Sequence, residues 1–245
     1  MKPSIPSSCL NRPYSGSCYR LVESQEEAAT LSLVDNFDEQ MLLENLLDDA
    51  KPPYRDGTEH LHYLLKSPFR YPPLRHGSRF GTRLMPSFFY ASETVATCLA
   101  EVAYYRFVFL QDMAEPFEGV LRSEHMVFRV ELATERCADL TLIDDLDIQA
   151  SLTHQSDYQY TQQLGRMLVD ERCQLIRSYS ARDFGGINLA VVDPLVFCSG
   201  PLDQSLWICQ LEPDRLAFTE RGRGHLPRYF ELQQFLQDGR LPRPA

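Results

Sequence analysis

The hydrophobic positions of this chain follow two periods, and the clearest helical one lies near its middle. Val95, Cys98, Leu99, Val102, Tyr105 and Phe109 recur at three- and four-residue steps, which predicts a helix with one buried stripe. Ser92 is its expected N-cap, and Glu93 is expected in the first turn, where a carboxylate meets the positive end of the helix dipole. Just upstream, a glycine-bounded loop carries Arg79, and a short strand is expected to end at Tyr90 before a turn at Ala91-Ser92. Arginine, tyrosine and glutamate thus fall on three consecutive elements, an arrangement able to build a cleft.

Elsewhere the pattern predicts a short strand over residues 18–22, and Ser24-Gln25-Glu26-Glu27 reads as a capping box opening a helix. A second amphipathic helix is expected over residues 37–49. Met41, Leu42, Leu46 and Leu47 would pack on the main domain, with Asp38, Glu39, Glu44, Asp48 and Asp49 mostly exposed. Pro52-Pro53 ends it. Residues 64–74, rich in proline and aromatics, read as a connector. Period-two alternation over 125–132 puts Met126, Phe128, Val130 and Leu132 on one side of a strand, and residues 139–143 form a further short apolar run. A helix over 158–173 would turn Tyr160, Leu164, Met167 and Leu168 inward. Strands follow over 175–179, 187–192 (after a Gly185-Gly186 turn) and 204–211, and a terminal helix is expected over 228–237.

Strands and helices do not alternate regularly, so the fold class is α+β, with a mixed, largely antiparallel sheet core and flanking helices. Residues 1–60 read as an N-terminal strand and helical extension packed on a main domain over 61–245, one compact unit overall.

Charge narrows the function. A net charge of −10 with no Lys/Arg run argues against direct nucleic-acid binding. Seven cysteines, an odd number without a CxxC pair, read as reduced thiols of a cytosolic protein. No apolar leader or membrane-length stretch is visible, so a cytoplasmic location is expected. His60 and His62 would share a strand face, but zinc needs three or four ligands and no second cluster completes the set, so no metal is expected. Neither a GxGxxG fingerprint nor a phosphate loop ending in Gly-Lys-Ser/Thr occurs.

Two residues carry candidate chemistry on their own surroundings. Glu101 has Thr97, Cys98, Tyr104 and Tyr105 at its i±3 and i±4 positions, so it sits off the solvated face and needs a partner. Its alternative role is a structural ion pair with an arginine such as Arg106. Ser180 ends a strand beside Arg182-Asp183 and a double glycine, where it either bonds a ligand or closes an ST turn. No GxSxG elbow makes it a hydrolase nucleophile.

Three blocks in order, Cys18-Tyr19-Arg20, then GSRFG…FFY…LAEVAYYR, then YSARDFGGINLAVVDP, resemble the RES-domain family, over about residues 18–198. The resemblance implies an ADP-ribosyltransferase-like fold over 61–245 and the toxin half of a bacterial toxin–antitoxin pair. It implies consumption of NAD as substrate, without a cofactor, and a DNA-binding, Xre-type helix-turn-helix antitoxin that plugs the active site. A homo-oligomer is compatible with it. Residue by residue it points to Arg20, Arg79, Tyr90, Glu101 and Ser180. Arg20 and Arg79 would bind the pyrophosphate, whose oxygens suit a guanidinium fork. Tyr90 would stack on the nicotinamide ring. Glu101 would stabilise the oxocarbenium-like state as the nicotinamide–ribose bond breaks, and Ser180 would orient the nicotinamide ribose or its amide.

The sequence departs from the family at Ser78-Arg79-Phe80, where many members carry Gly-Arg-Trp, and in a long helical insertion between Arg20 and Arg79. That insertion would either shape the antitoxin interface or extend the fold. The expected reaction is hydrolysis or phosphorolysis of NAD. The alternatives are protein ADP-ribosylation, a non-catalytic NAD- or partner-binding module, and an unrelated glycoside hydrolase, which would need a second acid near Glu101.

Overall fold

A computed structural model describes residues 3–24, 33–115, 117, 119–222 and 224–244. The capping box expected at 24–27 lies largely outside them. Eight strands, β1 (Arg12–Glu23), β2 (Phe89–Ser92), β3 (Leu121–Asp139), β4 (Leu175–Tyr179), β5 (Ile187–Val191), β6 (Leu202–Leu211), β7 (Arg215–Glu220) and β8 (Arg228–Glu231), form one sheet. Five helices, α1 (Phe37–Asp49), α2 (Tyr63–Arg70), α3 (Val95–Gln111), α4 (Leu146–Leu152) and α5 (Gln159–Asp170), flank it. The strand order is β1-β2-β5-β4-β3-β6-β7-β8, and every pairing is antiparallel except β3–β4. The α+β expectation therefore holds.

β1 also pairs with β3, so the first five strands in that order close on themselves. The length of β3 allows this. Its first half pairs with β6 and its last three residues with β4, while β1 lies along the other edge. The ring is filled by Cys18, Phe89, Phe128, Val130, Leu175, Leu189 and Val191 and capped by Leu65 and Phe69 of α2. A second core lies where α3 covers β6 and β7, through Leu99, Ala103, Tyr104, Phe107, Trp207 and Phe218. A third packs α4 and α5, through Leu152, Leu164 and Leu168, against Ile176 and Ala190.

Several elements depart from their sequence pattern. Residues 64–70 of the expected connector are helical, as part of α2, because Leu65 and Phe69 make an i,i+4 apolar pair that buries under the ring despite Pro68. Beyond β6, the expected terminal helix is instead strand β8, paired with β7, followed by a 3-10 turn over Leu232–Phe235. Within α3 the buried face is Thr97, Cys98, Leu99, Ala100, Ala103, Tyr104 and Phe107. Tyr105 and Phe109 of the expected stripe are half exposed. β2 runs to Ser92, so the N-cap moves to Thr94, whose hydroxyl accepts from the Thr97 N–H at 3.1 Å. Glu93 pairs with Arg177 at 2.7 Å instead of sitting inside the helix.

The largest departure is α1. It forms over the expected residues, capped by Asn36, but none of its residues is buried, and Phe37, Met41, Leu42, Leu46 and Leu47 are all exposed. The expected packing of its apolar side on the main domain is not made. Periodicity marks a face as apolar without saying that any surface meets it.

His125 on β3 is 2% exposed, its Nε2 is 2.8 Å from the Ser123 hydroxyl, and its ring lies edge-on to Phe218. Burial, then the nearby Arg106 charge, push its pKa down to about 4. The folded state holds this imidazole neutral while the unfolded chain protonates it near its ordinary value, about 6.5. Its contribution is therefore intact above that value and lost as pH falls toward 4, about 3 kcal/mol in all. Melting temperatures between pH 7 and 4 should fall more steeply for the native chain than for His125→Asn. Parallel curves would place the acid sensitivity elsewhere.

Candidate active site

Residues of β1, β2, β4 and β5, the loop over 78–80, Tyr158 and helix α3 build a cavity of about 270 Å³ at the edge of the ring. Among the residues lining it are Arg20, Arg79, Tyr90, Ser92, Glu101, Tyr105, Tyr158 and Asn188. Register explains the convergence. Tyr19 opposes Ser92 across β1–β2, Ser92 opposes Asn188 across β2–β5, and Asn188 opposes Ser178 on β4. α3 leaves β2 after a two-residue link and brings Glu101 over the same point.

The Glu101 carboxylate is half-buried and makes no ion pair among the described residues. Two neutral donors hold it: the Ser180 hydroxyl at 2.6 Å and the Asn188 amide nitrogen at 2.5 Å, both on Oε1. The alternative partner, Arg106, instead faces Glu23 at 3.7 Å and the Ser123 hydroxyl at 3.1 Å.

Ser180 is 6% exposed, and its oxygen also accepts the backbone N–H groups of Arg182 and Asp183, each at 3.0 Å. Its single proton is committed to Glu101, and it is not among the residues lining the cavity. The strand-end serine thus closes an ST turn and supports the carboxylate at once. The same loop is tied to α3, where the Thr97 hydroxyl donates to Asp183 at 2.7 Å.

Arg79 sits on a tight loop built from both sides. Gly77 takes φ 73°, in the left-handed region, and Ser78 N–H closes the turn on the Gly81 carbonyl at 2.7 Å. The Gln162 amide of α5 donates to the carbonyls of His76 and Ser78. The Phe80 carbonyl rests so closely on Gly165 of α5 that a Cβ there would lie 1.8 Å from its oxygen. Arg79 Nη1 donates to the Leu152 and His154 carbonyls, both at 3.0 Å, and the guanidinium lies 4.6 Å from the centre of the Tyr158 ring.

Tyr90 lines the cavity with its ring, while its hydroxyl bonds Ser78 Oγ at 2.8 Å and accepts the Phe80 N–H at 3.2 Å. It therefore also fixes the Arg79 loop, a role with no signal in the sequence. Burial raises its pKa to about 12. Arg20 projects from β1, donates Nη1 to the Tyr90 carbonyl at 2.6 Å and lies over Phe89. Its Nε is buried without a partner among the described residues, and burial lowers the pKa of the group. Cys98 also lines the cavity, but burial pushes its thiol to about 12, so it is not a thiolate nucleophile at neutral pH. His62, half of the histidine pair, instead caps α2, with its Nδ1 accepting the Leu64 N–H.

Arg20, Arg79, Tyr90 and Glu101 are thus brought to one cavity, and Ser180 stands directly behind Glu101. Sequence reasoning missed Asn188, Ser92, Tyr105 and Tyr158. A signal for Asn188 existed: it is the polar residue in Ile187–Val191, a strand otherwise apolar, and a half-buried amide there needs partners.

A family model described as the RES domain matches residues 52–206. The match spans the second and third sequence blocks, and Arg20 lies ahead of it. Among solved structures, the chain is similar to one in the M. tuberculosis MbcT–MbcA toxin–antitoxin complex, at 12% identity and a TM-score of 0.46, covering 84% of this chain and 90% of that one. No curated protein matches the chain.

Proposed function

The chain belongs to the RES-domain family, and from that premise we propose that it is an NAD-consuming toxin of a toxin–antitoxin pair, breaking the bond between nicotinamide and ribose. The observation that carries this reading is a carboxylate, held by two neutral donors without a counter-cation, beside two guanidinium groups and a tyrosine ring.

The chemistry asks for such an arrangement. As the C1′–N bond lengthens, its electron pair neutralises the pyridinium nitrogen, and nicotinamide leaves uncharged, so no general acid is required. Positive charge then builds on the ribose. Glu101 keeps its full negative charge for that moment because its partners are a hydroxyl and an amide. An arginine partner would cancel the field that the transition state needs.

Arg20 and Arg79 supply guanidinium groups for the pyrophosphate, and the Nε of Arg20, without a partner among the described residues, is a donor for it. Tyr90 offers its ring to the nicotinamide. The volume, about 270 Å³, is at the small end of ligand pockets and suits the nicotinamide–ribose end, leaving the adenosine half outside. The antitoxin of this reading is an Xre-type helix-turn-helix protein that occupies the cavity, and the setting is cytoplasmic, where NAD is available.

The test is nicotinamide release from NAD by the purified chain, with and without phosphate. ADP-ribose in both buffers identifies water as acceptor, and ADP-ribose-1″-phosphate formed only with phosphate identifies phosphorolysis. If neither appears but label moves from NAD to protein in cell extract, the chain is an ADP-ribosyltransferase. With no consumption under any condition, the reading fails. Arg79→Lys should weaken NAD binding by about tenfold, since an ammonium cannot reproduce the guanidinium fork. Calorimetric titration reads this directly, and an unchanged Kd would remove Arg79 from the phosphate site.

A further inference from the structure

Behind Glu101 lies a hydrogen-bond chain through Asn188, which falls within the third sequence block, and Ser92. The Ser92 hydroxyl, 2% exposed, donates to Asn188 Oδ1 at 2.7 Å. The Asn188 amide nitrogen then donates to Glu101 Oε1. The direction of this chain is dictated by its ends. An ionised carboxylate only accepts, so the amide must present its NH₂ to Glu101, and its oxygen must then face Ser92, whose proton satisfies it. Ser180 adds a second donor to the same Oε1. Oε2 has no hydrogen bond among the described residues, and Glu101 lines the cavity.

We propose that Asn188, backed by Ser92, is a positioning residue that holds Glu101 as an oriented anion with Oε1 occupied and Oε2 presented to substrate. The inference rests on the NAD-cleaving reading above. It assigns Asn188 and Ser92 to positioning and moves Ser180 into that group as well. An oxygen already carrying two donors is a poor further acceptor, so the ribose hydroxyls meet Oε2. Fixing the carboxylate before substrate arrives removes the reorganisation that a free glutamate would undergo as charge develops.

Asn188→Asp gives a readout that a purely structural role would not move. It keeps shape and volume but sets two carboxylates against each other, so the pair is driven to share one proton. The titratable and charged groups sharing the cavity with Glu101 are Cys98 and Tyr105 on α3, Arg20 on β1, Arg79 on its loop, Tyr90 on β2 and Tyr158 ahead of α5. Burial places Cys98 and Tyr90 at about 12 and raises Tyr105 above its ordinary value, so none of these three titrates between pH 5 and 8.

At pH 8 the variant should therefore release nicotinamide roughly 100-fold more slowly than the native chain, on the scale of one lost transition-state donor. It should recover as pH falls and the shared proton turns the introduced carboxyl back into a donor. Ser92→Ala, which leaves the amide free to rotate, should lower kcat about tenfold with KM unchanged. Native pH profiles and native kcat in both variants would overturn the proposal.

A measurement independent of turnover separates this outcome from failure of the underlying reading. In protein carrying ¹³C-carboxyl glutamate, the Glu101 resonance should titrate at higher pH in Asn188→Asp than in the native chain. If native protein does not consume NAD, the functional reading falls. The positioning claim is then decided by that resonance alone: a raised titration supports it, and an unmoved one overturns it.

Discussion

Glu101→Gln should lose about 10²–10³-fold in nicotinamide release while melting within a degree or two of the native chain. The geometry makes this substitution unusually clean. Both donors, Ser180 and Asn188, aim at Oε1, so the amide oxygen of glutamine can take that place and accept both bonds. Its NH₂ then falls where Oε2 stood and offers a positive edge to a ribose that is itself becoming positive. The fold keeps its hydrogen bonds and only the charge at the reacting centre disappears. The loss should fall on kcat, because the missing interaction strengthens only as the bond breaks. Steady-state kinetics with a parallel thermal melt check this. Native turnover in the glutamine variant would exclude Glu101 from the chemistry, and lost turnover with a much lower Tm would make its role structural.

Gly165→Ala should strongly destabilise the chain. In an ordinary exposed helix the change stabilises by roughly 1 kcal/mol. Here the new Cβ would lie 1.8 Å from the Phe80 carbonyl oxygen and 2.8 Å from its carbon, both backbone atoms that no rotamer change can move aside. Either α5 or the loop must retreat, at a cost of about 3 kcal/mol, or roughly 6–12 °C in melting temperature. If the loop yields, Arg79 and the Tyr90 hydroxyl bonds move with it, and the KM for NAD rises as well. Calorimetry and kinetics on one preparation test both halves. A variant as stable as the native chain would mean that α5 does not seat the Arg79 loop.

The legible parts of this protein are the ones whose determinants are local. The strand Leu175–Tyr179 and the helix Phe37–Asp49 could be read with correct bounds because apolar runs, acidic residues and proline stops lie within or beside them. The α+β class followed from their irregular order. The cavity residues Arg20, Arg79, Tyr90 and Glu101 could be named because motif blocks fixed them, although nothing local says that they meet.

What stayed hidden depends on distant partners. Whether α1 is covered, whether Arg228–Glu231 finds β7 beside it, and which residue holds Glu101 are settled by surfaces far away in sequence. The residues over 228–237 fit a helical pattern equally well, and pairing with β7 decides between the two. Arg106 looked like the partner of Glu101 because it is near in sequence. Asn188 is the partner because β5 lies beside β2.

The same long reach governs when the protein can act. The bonds holding Glu101 join residues 79 and 87 positions apart. A ribosome adding about 5–20 residues per second exposes Glu101 roughly 4–17 s before Asn188. Until Ser180 is added the nascent chain carries the Glu101 carboxylate with neither of its supports, and until Asn188 is added it has only one of the two. A translation product that stops anywhere short of β5 has no assembled site. If the product is harmful to the cell making it, the topology itself keeps unfinished copies harmless and confines activity to chains that extend past β5.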